Sequence, residues 1–377
     1  MGAREDAEAR LAVLAEQGRL RTKRIVAGGA VPALLLDGRV VVDFSSNNYL
    51  GLAGDERVRV AAMAELERSG VGAAASRLIM THEAHEALEA ELAVWLGVEQ
   101  VLLFNSGYAA NVGLLSALAS AGDVVFSDEL NHASIIDGCR LSRARVVVYR
   151  HGDLGELERG LRTAPEARKF VVSESLFSMD GDVAEVRRLR ELADVWGATL
   201  VLDEAHALGV LGPQGRGVAA RVGVAADVLV GTLGKALGSH GAFVATSAPV
   251  ARLLWNRARS LVFSTGMPPA VAAASLAAVA LVRGEVGEGR RAVVARNIAS
   301  LRSRLSLGPC THIVPWILGA DRRATATSEA LLASGLFVQA IRPPTVPEGS
   351  ARLRIAVGQQ DAAAVDALAD TLLSLMG

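Results

Sequence analysis

Cysteine, net charge and long apolar runs are all scarce in this 377-residue chain, and each scarcity excludes a class of protein. The two cysteines, Cys139 and Cys310, lack CxxC partners, so neither a disulfide framework nor a zinc site is supported. A net charge of −1 gives no overall attraction to nucleic acid or to an anionic membrane. The longest apolar run, Pro269 to Val282, is too short to span a bilayer, and the charged start resembles no signal peptide. We therefore expect a cytoplasmic protein with no nucleic-acid or membrane partner.

Lysine is also scarce. Only Lys23, Lys169 and Lys235 occur among 39 basic residues, so the other 36 (39 minus 3) are arginine. A lysine retained in such a chain is a candidate for chemistry that needs an amine able to lose its proton and attack a carbonyl. Lys235 follows an apolar run and is surrounded by glycines, which predicts a tight loop after a buried strand. Taken alone, a surface lysine remains an equally good interpretation.

The remaining composition, 51% hydrophobic and 21% charged, is typical of a well-buried globular protein, and the length favours two domains. After about residue 55, strand-like runs alternate with helical patterns, which predicts a mainly parallel α/β sheet covered on both faces. The predicted strands are Gln100–Phe104, Asp123–Ser127, Arg145–Tyr149, Lys169–Ser173, Thr199–Leu202, Val228–Gly231 and Gly241–Ala245. Predicted helices include Glu83–Leu96, Ala109–Ala121 and Val186–Trp196.

Three segments are predicted along the chain. Residues 1–45 form an N-terminal arm and two short strands around the turn Asp37–Gly38, and residues 46–285 form the large domain. Residues 286–377 form a small α+β domain with strands near 311–318, 337–340 and 351–357, and a final helix from Asp361.

Asp203 is predicted at the carboxyl end of a buried strand, where ligands of open α/β sheets bind. A buried carboxylate needs a cation or a hydrogen-bond donor. Pyridoxal phosphate requires a lysine for its aldehyde, an acid for its ring nitrogen and donors for its phosphate. Lys235 and Asp203 supply the first two. The alternative is that Asp203 only caps the following turn.

Candidate phosphate donors follow other strand ends. The segment from Phe104 to Asn111 opens a helix at Gly107, whose free backbone N–H groups suit an anion. Thr232 offers a hydroxyl three residues before Lys235, Ser178 follows another strand, and His132 is flat enough to stack on a pyridine ring. Each of these signals is weak by itself, because turn and core residues of the same types are common.

In combination, these motifs resemble the α-oxoamine synthases over nearly the whole chain. The resemblance rests on the segments 45–52, 105–108, 131–134, 177–181, 203–206 and 232–235. It implies the pyridoxal-phosphate-dependent transferase fold of the aspartate-aminotransferase type, and the joining of an amino acid to an acyl thioester. It also implies a homodimer whose active sites are shared between the subunits.

The resemblance assigns roles to individual residues. Lys235 would hold the cofactor and act as the base, Asp203 would bind the pyridine nitrogen, and His132 would stack on the ring and meet the substrate. Further cofactor contacts would come from Ser106, Gly107, Tyr108, Ser178, His206, Thr232 and Thr265, the last reaching the partner subunit's cofactor. Substrate carboxylates would be bound by Arg21, Asn47, Arg342 and Thr345.

The segment from Ile341 to Pro347 most resembles family members that condense L-alanine with a pimeloyl thioester, carried on coenzyme A or on a carrier protein. Two alternatives remain open, namely a member that joins glycine to a short acyl thioester and a non-catalytic partner subunit. One departure is that the loop Ile79–Ala84 is shorter than usual and lacks its glycine. We interpret it as drift, with a reshaped acyl pocket as the alternative.

Overall fold

The computed structural model describes residues 2–30, 32–164 and 167–376. The chain forms two compact units. We call Leu50–Ser178 with Asp182–Ala292 the large unit, and Met1–Tyr49, Met179–Gly181 and Val293–Gly377 the small unit. The predicted division at residues 45 and 285 stays a prediction.

The large unit contains a seven-stranded sheet in the order β4-β10-β9-β8-β7-β5-β6. Its strands are β4 (Gln100–Phe104), β5 (Val124–Asp128), β6 (Arg145–Tyr149), β7 (Lys169–Glu174), β8 (Ala198–Asp203), β9 (Val228–Thr232) and β10 (Ala242–Thr246). Only β10 runs antiparallel to its neighbours β4 and β9. The other pairs, including β7 with β8 and β8 with β9, are parallel, so their carboxyl ends lie at one edge.

Alternate residues of these strands face two separate cores. Val125 and Val172 belong to one cluster, whereas Phe126 and Val171 belong to another on the opposite face. This two-sided burial explains the nearly continuous apolar runs in the sequence. The helices of the large unit are α2 (Glu56–Ser69), α3 (Glu83–Leu96), α4 (Gly107–Leu118), α5 (Ala133–Ser142), α6 (Leu154–Arg162), α7 (Val186–Val195), α8 (Gly217–Arg221), α9 (Ala248–Arg257), α10 (Arg259–Val262) and α11 (Pro269–Arg283).

The small unit combines helices with two small sheets, ordered β1-β2-β3-β12 and β11-β14-β13. Its strands are β1 (Val26–Ala30), β2 (Ala33–Leu36), β3 (Arg39–Asp43), β11 (Ile313–Gly319), β12 (Leu336–Phe337), β13 (Ala340–Ile341) and β14 (Ala351–Ala356). Its helices are α1 (Ala3–Glu16), α13 (Asp321–Ala333) and α14 (Ala362–Ser374), while α12 (Glu285–Arg304) begins in the large unit.

Most predicted elements are present, and one is wrong. The run 337–340, predicted as a single strand, is divided between β12, which pairs with β3, and β13, which pairs with β14. In the described part of the chain, no single helix is long and apolar enough to cross a membrane. The pair α11 and α12 meets that test only together, across a bend of 71°.

Candidate active site

Polar side chains gather at the carboxyl edge of the large sheet. Asp203 ends β8, Glu174 ends β7, Thr232 ends β9, and His132 lies in the loop after β5. Parallel strands bring these ends together, as the sequence predicts. They enclose a cavity of about 170 Å³, which is lined by Gly107, Tyr108, Asn111, His132, Ser134, Glu174, Asp203, Ala205, His206, Thr232 and Lys235.

Asp203 is 7% exposed, and each of its oxygens accepts a hydrogen bond. Oδ1 accepts from the backbone N–H of Ala205 at 2.9 Å, and Oδ2 accepts from Nδ2 of Asn111 at 2.8 Å. Donors of this kind stabilise an ionised carboxylate in a buried place. Asp203 is therefore suited to hold a positively charged group inside the cavity.

Lys235 lies in the loop after β9, and its Nζ is 2.9 Å from Nε2 of His206. This contact joins the amine to the His206 ring at the wall of the cavity. The loop needs glycine at position 238, where φ is +66° and an added Cβ would lie 2.2 Å from the backbone nitrogen of Ala53. The glycines seen in the sequence thus shape the loop that carries the lysine.

Glu174 is a site residue that motif reading misses. Its side chain is 3% exposed, and Oε1 has no hydrogen-bond partner among the described residues. Burial and the nearby charge of Asp203 raise the pKa of Glu174 to about 8. Burial also lowers the pKa of His132, against an opposing effect of Asp203. The site therefore places Asp203, whose two oxygens accept hydrogen bonds, next to a carboxyl group that favours its neutral form.

Helix α4 begins at the cavity. The Ser106 hydroxyl caps it by accepting the backbone N–H of Ala109 at 3.1 Å. A Cβ added at Gly107 would meet no atom within 4 Å, so open space lies next to the first turn. The Tyr108 hydroxyl donates to Asp137, which fixes the ring beside this opening. Free N–H groups and open space together provide a place for an anion.

Three further predicted cofactor residues have different surroundings. Thr232 lines the cavity, but its hydroxyl donates to the carbonyl of Gly241 at 3.0 Å. Ser178 and Thr265 do not line it, and the carbonyl of Thr265 accepts from the Asn105 amide at 2.7 Å. This cavity therefore does not explain the predicted cofactor contacts of Ser178 and Thr265, and the Thr232 hydroxyl already has a partner.

His132 lies in the large unit, whereas the four residues predicted to bind substrate carboxylates belong to the small unit. Arg21, Arg342 and Thr345 line one cavity of about 530 Å³, and Arg21 Nη2 is 3.4 Å from the Thr345 hydroxyl. Asn47 does not line it, and its side chain accepts from the Tyr49 hydroxyl at 2.9 Å. The structure therefore brings together three of these four residues.

Comparison with known protein sequences identifies a family and several similar enzymes. The model for aminotransferases of class I and II matches residues 39–372. An 8-amino-7-oxononanoate synthase of Geobacter sulfurreducens is 50% identical over 351 residues, 90% of either chain. One from Anaeromyxobacter dehalogenans is 48% identical over 377 residues, 98% of this chain and 94% of that protein.

Solved structures of related enzymes have the same fold as this chain. A serine palmitoyltransferase from S. paucimobilis, solved with bound PLP and myriocin, has a TM-score of 0.92 at 29% identity, covering 98% of this chain and 96% of its own. An 8-amino-7-oxononanoate synthase from Francisella tularensis has a TM-score of 0.76 at 26% identity, covering 89% and 96%. The chain therefore belongs to the class I and II aminotransferase family, within its α-oxoamine synthases and next to the 8-amino-7-oxononanoate synthases.

Proposed function

We infer that the chain is a pyridoxal-phosphate-dependent acyltransferase that condenses L-alanine with a pimeloyl thioester. The products are 8-amino-7-oxononanoate, carbon dioxide and the free thiol, so the reaction belongs to biotin biosynthesis. Identity near 50% to synthases named for this product supports the assignment over a glycine-using relative. The single structural observation that carries it is the cavity shared by Lys235, Asp203 and His132.

The cavity residues fit pyridoxal phosphate. Asp203 would hold the pyridine nitrogen, Lys235 would attach to the aldehyde carbon, and the N–H groups at the start of α4 would bind the phosphate. When bound, the cofactor supplies an electron sink for negative charge at the substrate's α-carbon. His132 would stack on the ring, and His206 holds Nζ of Lys235 in place. Ser106, Ser178, Thr232 and Thr265 stay predicted cofactor residues.

In this reaction the chain's own groups position the reactants and move protons. Lys235 Nζ is the base at the α-carbon, since it is the amine next to the cavity that His206 orients. Asp203 would hold a proton on the ring nitrogen that it faces, and the donors on both of its oxygens keep its side chain in place for this role. The neutral Glu174 adds no second negative charge.

We propose that Arg21, Arg342 and Thr345 bind a substrate carboxylate. Two other arginines of the same cavity are already paired, Arg19 with Asp321 and Glu348, and Arg24 with Asp37 and Glu329. In the described residues, Arg21 donates to the Thr345 hydroxyl and Arg342 to the Gly18 carbonyl, and neither has a carboxylate partner. Their charges are thus available to an incoming carboxylate. Asn47 stays a predicted contributor.

We also propose a homodimer. Apolar side chains stand exposed on the large unit, among them Val71 and Ile79 at 81% and Phe263 at 71%. The bridge between Ser76 and Thr265 brings the segments of Ile79 and Phe263 together, and exposed apolar side chains near one another are typical of an interface between subunits. Light scattering should give twice the 39.2 kDa of one chain, and the mass of a single chain would contradict the proposal. Cytoplasmic location stays a prediction from the sequence.

The reaction is tested with purified protein and a panel of substrates. L-alanine and glycine are each paired with pimeloyl, acetyl and succinyl thioesters on coenzyme A and on a carrier protein, and products are identified by mass. We expect turnover with L-alanine and the pimeloyl thioester. Turnover only with glycine and a short thioester would overturn the assignment, and no turnover with any pair would favour a non-catalytic subunit.

A further inference from the structure

A buried chain of hydrogen bonds connects His132 to Asp203. Asn111 of α4 is 2% exposed and Ser134 of α5 is 0% exposed. The Asn111 amide nitrogen donates to the Ser134 hydroxyl at 3.0 Å and to Asp203 Oδ2 at 2.8 Å. An amide NH₂ has two hydrogens, so both are used. Reversing the amide would place its oxygen against the Asp203 carboxylate, which fixes the orientation.

Donor direction along this chain determines the state of the His132 ring. The Ser134 hydroxyl accepts from Asn111 and therefore has its own hydrogen for His132 Nδ1, 2.7 Å away. The backbone N–H of Ser134 also points at Nδ1, at 3.2 Å. This second donor cannot rotate away, because His132 is the N-cap of α5 and its side chain accepts that N–H. Two donors on Nδ1 require a lone pair there.

We propose that Asn111 and Ser134 are positioning residues that hold His132 as the neutral tautomer with its proton on Nε2. His132 is then a hydrogen-bond donor toward substrate and not a proton acceptor, since Nδ1 is occupied. The charges that face it are Asp203, which favours an imidazolium, and Lys235, which opposes it. The Glu174 carboxyl group accepts a hydrogen bond from the backbone N–H of His132, so its bond is to the main chain and not to the ring. The tautomer is independent of the proposed reaction, whereas its catalytic consequence rests on that reaction.

We call the two hydrogen bonds that keep His132 Nδ1 unprotonated the tautomer lock. Substitutions should reverse or weaken this lock in different ways. Asn111→Asp replaces the donor by an acceptor of the same shape, so the Ser134 hydroxyl turns to the new carboxylate and Nδ1 gains a proton. Ser134→Ala removes the hydroxyl and leaves the weaker backbone N–H. Because the neutral ring loses a donor in Ser134→Ala, the midpoint of the His132 titration should rise by about one pH unit in this variant. Ser134→Thr keeps the hydroxyl and should restore the original midpoint.

The measurement is ¹⁵N NMR of the cofactor-loaded protein labelled at its seven histidines, with His132 assigned by His132→Gln. We expect an unprotonated Nδ1 and a protonated Nε2 from about pH 6 to about pH 8 in the unsubstituted protein. Ser116→Ala is the matched control, because that hydroxyl bonds the Val112 carbonyl within α4. It should leave the His132 signals unchanged.

Two results would overturn the proposal. One is a protonated Nδ1 in the unsubstituted protein. The other is an unchanged His132 tautomer and midpoint in Ser134→Ala, which tests the lock even if Asn111→Asp does not fold. If the predicted signals are found but no substrate pair is turned over, the lock stands and the proposed reaction fails.

Discussion

At the scale of single residues, the arginines of the small-unit cavity differ in what they already bind. Arg24 is paired with two carboxylates, while Arg342 donates to the backbone carbonyl of Gly18. A guanidinium grips a carboxylate with two parallel hydrogen bonds, which a lysine ammonium cannot reproduce. The proposed substrate role can therefore be separated from a general need for positive charge.

Arg342→Lys should raise the Michaelis constant of the carboxylate-bearing substrate about tenfold, equivalent to about 1.4 kcal/mol of lost binding. Cofactor absorbance should stay unchanged, since Arg342 lies in the small unit and the cavity of Lys235 lies in the large unit. Arg24→Lys, in the same cavity, is the control and should have little effect. Loss of cofactor absorbance in Arg342→Lys would show a structural role instead.

Residue chemistry in the sequence predicts part of the site. Lys235, Asp203 and His132 follow strand ends, so parallel pairing alone brings them to one edge. Asn111 and Ser134 are different, because their contacts depend on how α4 packs against α5. A polar residue inside a largely apolar helix is the only local signal of such a role. Glu174 gives no signal until its burial is known.

At the scale of elements, His151 connects the loops that follow two neighbouring strands. Its Nδ1 is 3.0 Å from Asp128 at the end of β5, and its Nε2 is 2.9 Å from Asp182 in the loop after β7. Burial opposes the imidazolium, but the hydrogen bonds and charges of the two carboxylates outweigh it and raise the pKa of His151. The same two loops carry His132 and Ser178.

A raised pKa makes this link sensitive to pH with a definite sign. The stabilisation is fully present below the unfolded histidine pKa of about 6.5 and is lost as pH rises through the higher folded value. His151→Gln should therefore be less stable than the unsubstituted protein by about 1 kcal/mol at low pH, and by less at high pH. Denaturant unfolding at several pH values measures the difference.

The control for this link is Asp182→Asn, which removes one of the two carboxylates. Its loss of stability relative to the unsubstituted protein should depend on pH in the same direction as that of His151→Gln, but by a smaller amount. Nearby groups also titrate or carry charge, including Tyr149, Glu129, Glu185 and the Arg150 pairs with Asp153 and Glu156. Comparing variants at each pH cancels their common contribution. A difference between His151→Gln and the unsubstituted protein that grows with pH would contradict the account.

Element prediction worked where pairing could be read from local pattern. The predicted strand Gln100–Phe104 and helix Glu83–Leu96 have the observed bounds. The run 337–340 failed because its two ends pair in different sheets, β12 with Val42 and Asp43 of β3 and β13 with Leu353 and Arg352 of β14. Apolar pattern indicates burial, and it does not indicate which sheet receives the strand.

At the scale of the whole molecule, the residues predicted to bind cofactor and those proposed to bind a substrate carboxylate belong to different units. The predicted cofactor residues all belong to the large unit, and Arg21, Asn47, Arg342 and Thr345 all belong to the small unit. The family match over residues 39–372 includes parts of both units. The proposed reaction depends on the cofactor being held at Lys235.

Borohydride reduction of the cofactor-loaded protein, followed by peptide mass analysis, tests that claim most directly. The chain offers its own controls, since Lys23 and Lys169 are the only other lysines. We predict that the mass of the cofactor is fixed on the peptide containing Lys235 and is absent after Lys235→Ala. Label on the peptide of Lys23 or Lys169, or label that persists in Lys235→Ala, would contradict the account.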